Sequence, residues 1–198
     1  MTPLQYIRMI NFLEECKPKR ILELGSGEST KIFNEYAAKN NATAYSIEHD
    51  GYWNKYNSIM LNLNEGIQLN VGGYCYNNCS AYEGFENWLN EQDTFDFILI
   101  DAPNDGIPTN YMNLEYARIQ TLDFVLLNKL NKKSVLMYHD SERDIAQNTL
   151  NLFEKLMEEH NYIYQKEIVF EKDKEIINYN KNILGVCPQL TIYIIIKE

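Results

Sequence analysis

Hydrophobic positions along this chain switch between a helical period and runs of consecutive or alternating residues, the two patterns that separate helices from strands. After Thr2-Pro3, an N-cap with a first-turn proline, Leu4, Ile7, Met9, Ile10 and Leu13 recur at helical spacing, which predicts a helix over residues 3–16. Arg20-Ile-Leu-Glu-Leu-Gly25 is a short apolar strand stopping at a glycine turn, and residues 29–39 return to the helical period with Ile32, Phe33 and Tyr36 on one face. Residues 42–48 read as a second strand, 52–63 as a helix and 66–71 as a third strand. Phe95-Asp-Phe-Ile-Leu-Ile-Asp101 is the clearest buried strand, followed by a long helix over 113–130, a strand over 133–139 and an amphipathic helix over 142–160. Two β-rich runs, 162–170 and 190–197, are expected to close the sheet as a hairpin, and long loops are expected at 72–82 and 101–112.

Repeated βα units predict a doubly wound α/β sheet with helices on both faces, built as a single domain over residues 1–198. Hydrophobic residues make up 45% and charged residues 23%, the balance of a folded chain with its own core. Eighteen Lys and Arg against 28 Asp and Glu leave a net charge of -10, which argues against nucleic acid or anionic membranes as partners. No apolar run approaches the ~20 residues of a membrane span, and the opening residues lack a basic segment followed by an apolar one, so a cytoplasmic location is expected. The four cysteines (Cys16, Cys75, Cys79, Cys187) are scattered and expected to be reduced.

In a doubly wound sheet, ligands bind beyond the carboxyl ends of the strands where strand order reverses, and the first strand usually borders that point. Glu23-Leu-Gly25-Ser26-Gly27 would lie there, with the helix opening at Ser29 offering free N–H groups. Glu48, at the end of the second strand, is spaced to accept hydrogen bonds from both hydroxyls of a ribose. Nicotinamide dinucleotides favour a third glycine where this chain has Glu28-Ser29-Thr30. An acid just before the glycines would repel a pyrophosphate yet suits a sulfonium and a methionyl ammonium, so S-adenosylmethionine is the expected cofactor.

Ile21-Leu-Glu-Leu-Gly-Ser-Gly-Glu-Ser-Thr30, Tyr45-Ser-Ile-Glu-His-Asp50 and Phe95-Asp-Phe-Ile-Leu-Ile-Asp101 together resemble the class I S-adenosylmethionine-dependent methyltransferases. The resemblance implies a Rossmann-like, mostly parallel seven-stranded sheet with an antiparallel terminal strand. It also implies that Glu23, Gly25, Ser26, Gly27 and Ser29 hold the methionyl part, Glu48 the ribose, and His49 and Tyr82 the adenine.

Asp101 and His139-Asp140 end the fourth and fifth strands of such a sheet and should converge beside the cofactor. A hydroxyl acceptor needs a base or a metal to take up its proton. His139 or either carboxylate could be that base, or Asp101 and Asp140 could hold a divalent ion. Ile100-Asp-Ala-Pro103, Tyr116-Ala-Arg118 and Met137-Tyr-His-Asp-Ser-Glu-Arg143 look like the glucuronoxylan 4-O-methyltransferases and related polysaccharide-biosynthesis proteins. That narrower resemblance implies a sugar or sugar-derived acceptor, with Arg143 meeting an acceptor carboxylate. Tyr74, Tyr76, Tyr82, Tyr111 and Tyr138 are available as rings for a sugar face. The competing expectations are a metal-dependent diol or phenol O-methyltransferase, a nicotinamide-dependent oxidoreductase, and a catalytically silent cofactor-binding module.

Overall fold

The computed structural model describes residues 1–54, 56, 58–71, 74–101, 118, 129–170 and 188–196. Helix α1 (Pro3–Cys16) opens the chain with a capping box: the Thr2 hydroxyl accepts from the Gln5 N–H while the Gln5 side chain accepts from the Thr2 N–H. It ends at Lys17 in the left-handed region (φ 49°), whose N–H reaches back to the Leu13 carbonyl. There follow β1 (Arg20–Leu24), α2 (Glu28–Asn40), β2 (Thr43–Glu48), β3 (Ile59–Met60), β4 (Leu63–Val71), β5 (Tyr74–Tyr82), α3 (Phe85–Asn90) and β6 (Phe95–Ile100). The described part of the chain continues with β7 (Leu130–His139), α4 (Asp144–Glu159), β8 (Ile163–Phe170) and β9 (Gln189–Ile196).

Among the described residues one sheet has seven strands in the order β3-β2-β1-β6-β7-β9-β8. All neighbours are parallel except β9, which runs antiparallel to both β7 and β8. The expected fold is therefore found, with the antiparallel strand inserted beside the edge rather than forming it. β1 and β6 lie at its centre and are buried over nearly their whole length, the physical reason both read as continuous apolar runs.

Each sheet face carries its own core. Phe85 and Leu89 of α3 pack with Leu150, Phe153 and Met157 of α4 on one face. On the other, Met9, Phe12 and Leu13 of α1 meet Phe33 and Tyr36 of α2 over Ile21, Phe97 and Leu99. Strand order reverses between β1 and β6: β2 and β3 extend the sheet one way, β7 the other. Because these strands are parallel, Gly25, Glu48, Asp101 and His139 all emerge at one edge.

Three expectations are corrected. The helix expected over 52–63 is not found among the described residues of that stretch: Tyr52 N–H donates to Asp50 Oδ1 (2.9 Å) and Ser58 N–H to Asn54 Oδ1 (2.8 Å), bonds that compete with helical bonding, and β3 follows. The run 66–71 does not join the parallel sheet, and the stretch expected as a loop at 72–82 is strand β5; β4 and β5 pair antiparallel in a separate two-stranded sheet with Val71 opposite Tyr74. The intervening Gly72-Gly73 dipeptide is a hairpin signal in sequence. α3, in a stretch to which the sequence pattern assigned no element, starts at Gly84 with φ 71°. The expected helix over 113–130, apart from Arg118 and residues 129 and 130, the loop 102–112, Tyr111 and Cys187 lie outside the described residues. Cys16 is a free, exposed thiol. Among the described residues no helix is long and apolar enough to cross a membrane.

Candidate active site at the carboxyl edge of the sheet

Gly25 leaves β1 with φ 92°, a conformation open to glycine and strained for other residues. Its N–H donates to the Ile47 carbonyl (2.8 Å), keeping the turn stitched to β2. A Cβ built on Gly27 would meet nothing within 4 Å, so the turn faces open space. Such a cradle beside the N-terminus of α2 fits the methionyl part of the expected cofactor without obstruction.

Two carboxyl groups flank this turn, and both are almost completely buried. Glu23 accepts from the hydroxyls of Ser29 (2.5 Å) and Thr30 (2.6 Å), so both its oxygens face the first turn of α2. Burial pushes its pKa up to about 7, although the hydroxyl bonds pull the other way. Glu48 accepts from the backbone N–H groups of Ser26 (2.8 Å), His49 (2.8 Å) and Asp50 (2.9 Å), and His49 Nδ1 lies 3.0 Å from it. Burial alone would raise this group too, but the His49 side chain and the three N–H donors outweigh it and hold Glu48 below the usual carboxylate range. Glu48 thus ties the glycine turn to the end of β2. His49 and Tyr82 lie edge-on in contact with each other, ring centroids 6.0 Å apart, and Tyr82 is only 2% exposed.

Across the sheet, His139 ends β7 with its side chain only 7% exposed. Its Nδ1 lies 2.6 Å from Asp101 Oδ1 and 3.4 Å from Asp140 Oδ1. The Asp101 carboxylate accepts here, so Nδ1 carries a proton, and in the neutral ring the lone pair then lies on Nε2. Burial raises the Asp101 carboxyl, yet the charge and hydrogen bond of His139 more than offset it and keep the group below its ordinary value. Nε2 of His139 is buried and has no hydrogen-bond partner among the described residues. Asp140 turns the chain in the left-handed region (φ 57°) and receives Arg143 Nη2 at 2.5 Å on its Oδ2.

Most of the expected site residues are therefore brought together: Glu23, Gly25, Ser26, Gly27, Ser29 and Glu48 around the turn, His49 with Tyr82, and Asp101 with His139 and Asp140. Three assignments change. Arg143 engages Asp140 rather than standing open to an acceptor. Tyr138 is a fully buried core residue of β7, not a loop ring, because alternate strand residues point to the opposite face from His139. Tyr74 and Tyr76 sit in β5. Thr30 is a site residue that the sequence reading passed over; the signal was a Ser-Thr pair in the first turn after a strand-end acid. Arg118 is another: fully buried, it donates from Nη1 to the His139 carbonyl at 2.8 Å.

Asp101, His139 and Asp140 also offer three ligand atoms within 4.8 Å of one another. As arranged, Asp101 Oδ1 and His139 Nδ1 satisfy each other, and the guanidinium of Arg143 already neutralises Asp140. A cation could enter only by displacing those bonds.

Solved structures of S-adenosylmethionine-dependent methyltransferases share this Rossmann-like fold over nearly the whole chain. An S-adenosylhomocysteine-bound methyltransferase of Podospora anserina is 15% identical at a TM-score of 0.52, covering 100% of this chain and 80% of its own. A Staphylococcus aureus protein designated a caffeoyl-CoA O-methyltransferase is 14% identical at a TM-score of 0.52, with 98% and 84% covered. A methyltransferase of Archaeoglobus fulgidus dependent on S-adenosylmethionine is 11% identical at a TM-score of 0.51, with 96% and 91% covered. No family model and no curated protein matches the sequence.

Proposed function

We propose that this chain is an S-adenosylmethionine-dependent O-methyltransferase that works in the cytoplasm on a hydroxyl of a sugar or sugar-derived metabolite in glycan biosynthesis. The observation that carries the reading is the His139 ring: Nδ1–H is held by Asp101 at 2.6 Å, while Nε2 is buried without a partner among the described residues. A buried, unpaired nitrogen costs free energy unless a ligand supplies the missing donor. A hydroxyl is such a donor, and it is also a nucleophile too weak to react until its proton is taken.

Gly25, Ser26, Gly27, Glu23 and Ser29 would hold the methionyl moiety, Glu48 the ribose and His49 with Tyr82 the adenine. Bound there, S-adenosylmethionine supplies a methyl carbon activated by its sulfonium. The chain itself orients the acceptor hydroxyl, accepts its proton at His139 Nε2 and stabilises the resulting imidazolium through Asp101. Arg143, already paired with Asp140, would meet an anionic group on the acceptor only by sharing or giving up that bond. The sugar assignment rests on the Asp-Ala-Pro and His-Asp-x-x-Arg stretches; the acidic charge of -10 favours a small acceptor over a long polyanion.

A second reading, a metal-dependent diol or phenol O-methyltransferase, is favoured by the three ligand atoms within 4.8 Å. Labelled S-adenosylmethionine offered with sugar nucleotides, uronic-acid oligosaccharides and catechols, each with and without EDTA, separates the two. Sugar labelling indifferent to EDTA is expected. Labelling of catechols alone, lost to EDTA and restored by a divalent ion, would establish the second reading instead.

A further inference from the structure

We propose that Arg118 is the positioning residue of the Asp101–His139 pair: by gripping the main-chain carbonyl of His139, it fixes the end of β7 so that the imidazole meets Asp101 and leaves Nε2 for the acceptor. The inference rests on the reading of His139 as the base.

Arg118 is 0% exposed, an unusual setting for a charged side chain and a costly one unless the charge meets polar groups. Its Nη1 donates to the His139 carbonyl oxygen at 2.8 Å, and its guanidinium carbon lies 5.0 Å from the centroid of the Tyr138 ring. The side chain therefore grips two consecutive residues at the end of β7, one through the backbone and one through its ring face.

The end of β7 needs such a grip. Asp140 enters the left-handed region at φ 57°, so the chain turns away immediately after His139. His139 is paired with Leu190 of β9 as the last residue of the strand, and Arg118 adds a bond at its carbonyl just before the turn. The 2.6 Å contact from Nδ1 to Asp101 tolerates little displacement of the ring. Only an arginine combines a planar face for Tyr138 with a donor for the carbonyl; a lysine keeps the charge and loses the plane. Arg118 lies 21 residues from His139 in sequence; it holds the His139 carbonyl, and its charge also helps to keep the Asp101 carboxyl below its ordinary value, so it acts on both members of the pair.

The test uses the full chain with Arg118→Met and Arg118→Lys beside wild type. Nitrogen-15 spectra of the three histidines, with His139 assigned by difference against His139→Gln, report the tautomer without any turnover. Wild type should show His139 as a single Nδ1–H tautomer. Arg118→Met should show mixed tautomers, with S-adenosylhomocysteine affinity by calorimetry unchanged within about twofold, kcat lowered about 10²-fold and acceptor KM little altered. Arg118→Lys should fall between the two. A folded Arg118→Met protein with the wild-type His139 spectrum overturns the proposal, as does a loss of S-adenosylhomocysteine affinity that parallels the loss of kcat. If the methionine variant does not fold, the lysine variant decides, and a wild-type spectrum with full kcat there overturns it equally. A wild type that transfers no methyl group, yet whose single tautomer is lost in Arg118→Met, removes the methyltransferase reading and leaves the positioning role intact.

Discussion

Glu23 and Glu48 are buried on either side of one glycine turn, and their carboxyl groups shift in opposite directions. The difference lies in their donors: two hydroxyls for Glu23, three backbone N–H groups and a histidine for Glu48. Glu23, raised from 4.5 to about 7, holds its proton more tightly folded than unfolded. Its contribution to stability is full below about pH 4.5, falls as pH rises toward about 7 and is flat beyond, a loss of ~3 kcal/mol. Glu23→Gln keeps the hydroxyl partners and removes the charge, so its urea-unfolding free energy should decline less than wild type between about pH 5 and pH 8. Equal slopes for the two proteins would refute the assignment. At the other end of the site, His139→Gln should lower kcat by about 10²–10⁴ and leave S-adenosylhomocysteine affinity intact, as calorimetry and labelled-methyl assays can show. The residue types at both ends were readable in sequence because strand-end acids and a His-Asp step carry chemistry wherever they fall. Their partners were not: Thr30 and Arg118 acquire their roles only when α2 folds back over β1 and when residue 118 reaches the end of β7.

Among the elements, the glycine turn separates two jobs that look alike in sequence. Gly25 is needed for the backbone, with φ 92°, whereas Gly27 is needed for empty space. Gly25→Ala should therefore destabilise the fold by about 1–2 kcal/mol, while Gly27→Val should keep the wild-type melting temperature and lose S-adenosylhomocysteine binding. Thermal denaturation and calorimetry on both variants test the contrast; a Gly27→Val protein that still binds would show that the cradle lies elsewhere. Elements were legible where burial left a strong period. β6 is buried on both faces and α4 buries one stripe, so each announced itself. The stretch from 52 to 82 was misread because its polar residues bond locally, as Asp50 and Asn54 do, and because β4 and β5 pair with each other outside the alternation of parallel strands and helices.

For the molecule as a whole, α1 closes one sheet face and is tied to the far edge by Arg8, whose guanidinium meets Glu167 at 2.8 and 2.6 Å and lies 4.1 Å from the Phe12 ring centroid. Phe12 is 2% exposed under that lid of side chains, so Phe12→Ala should cost about 3–5 kcal/mol, read as a lower urea midpoint at unchanged slope. A change below about 1 kcal/mol would mean that α1 is a peripheral ornament rather than part of the core. By itself the sequence determined the alternation of strands and helices, the glycine turn with its acids, and the set Asp101, His139 and Asp140, because each is written in local spacing or residue type. Tertiary structure alone decided the insertion of β9 between β7 and β8, the separate β4–β5 hairpin, and the partners of His139. Those depend on contacts between residues far apart in the chain, where packing and hydrogen-bond geometry, not local preference, select the outcome.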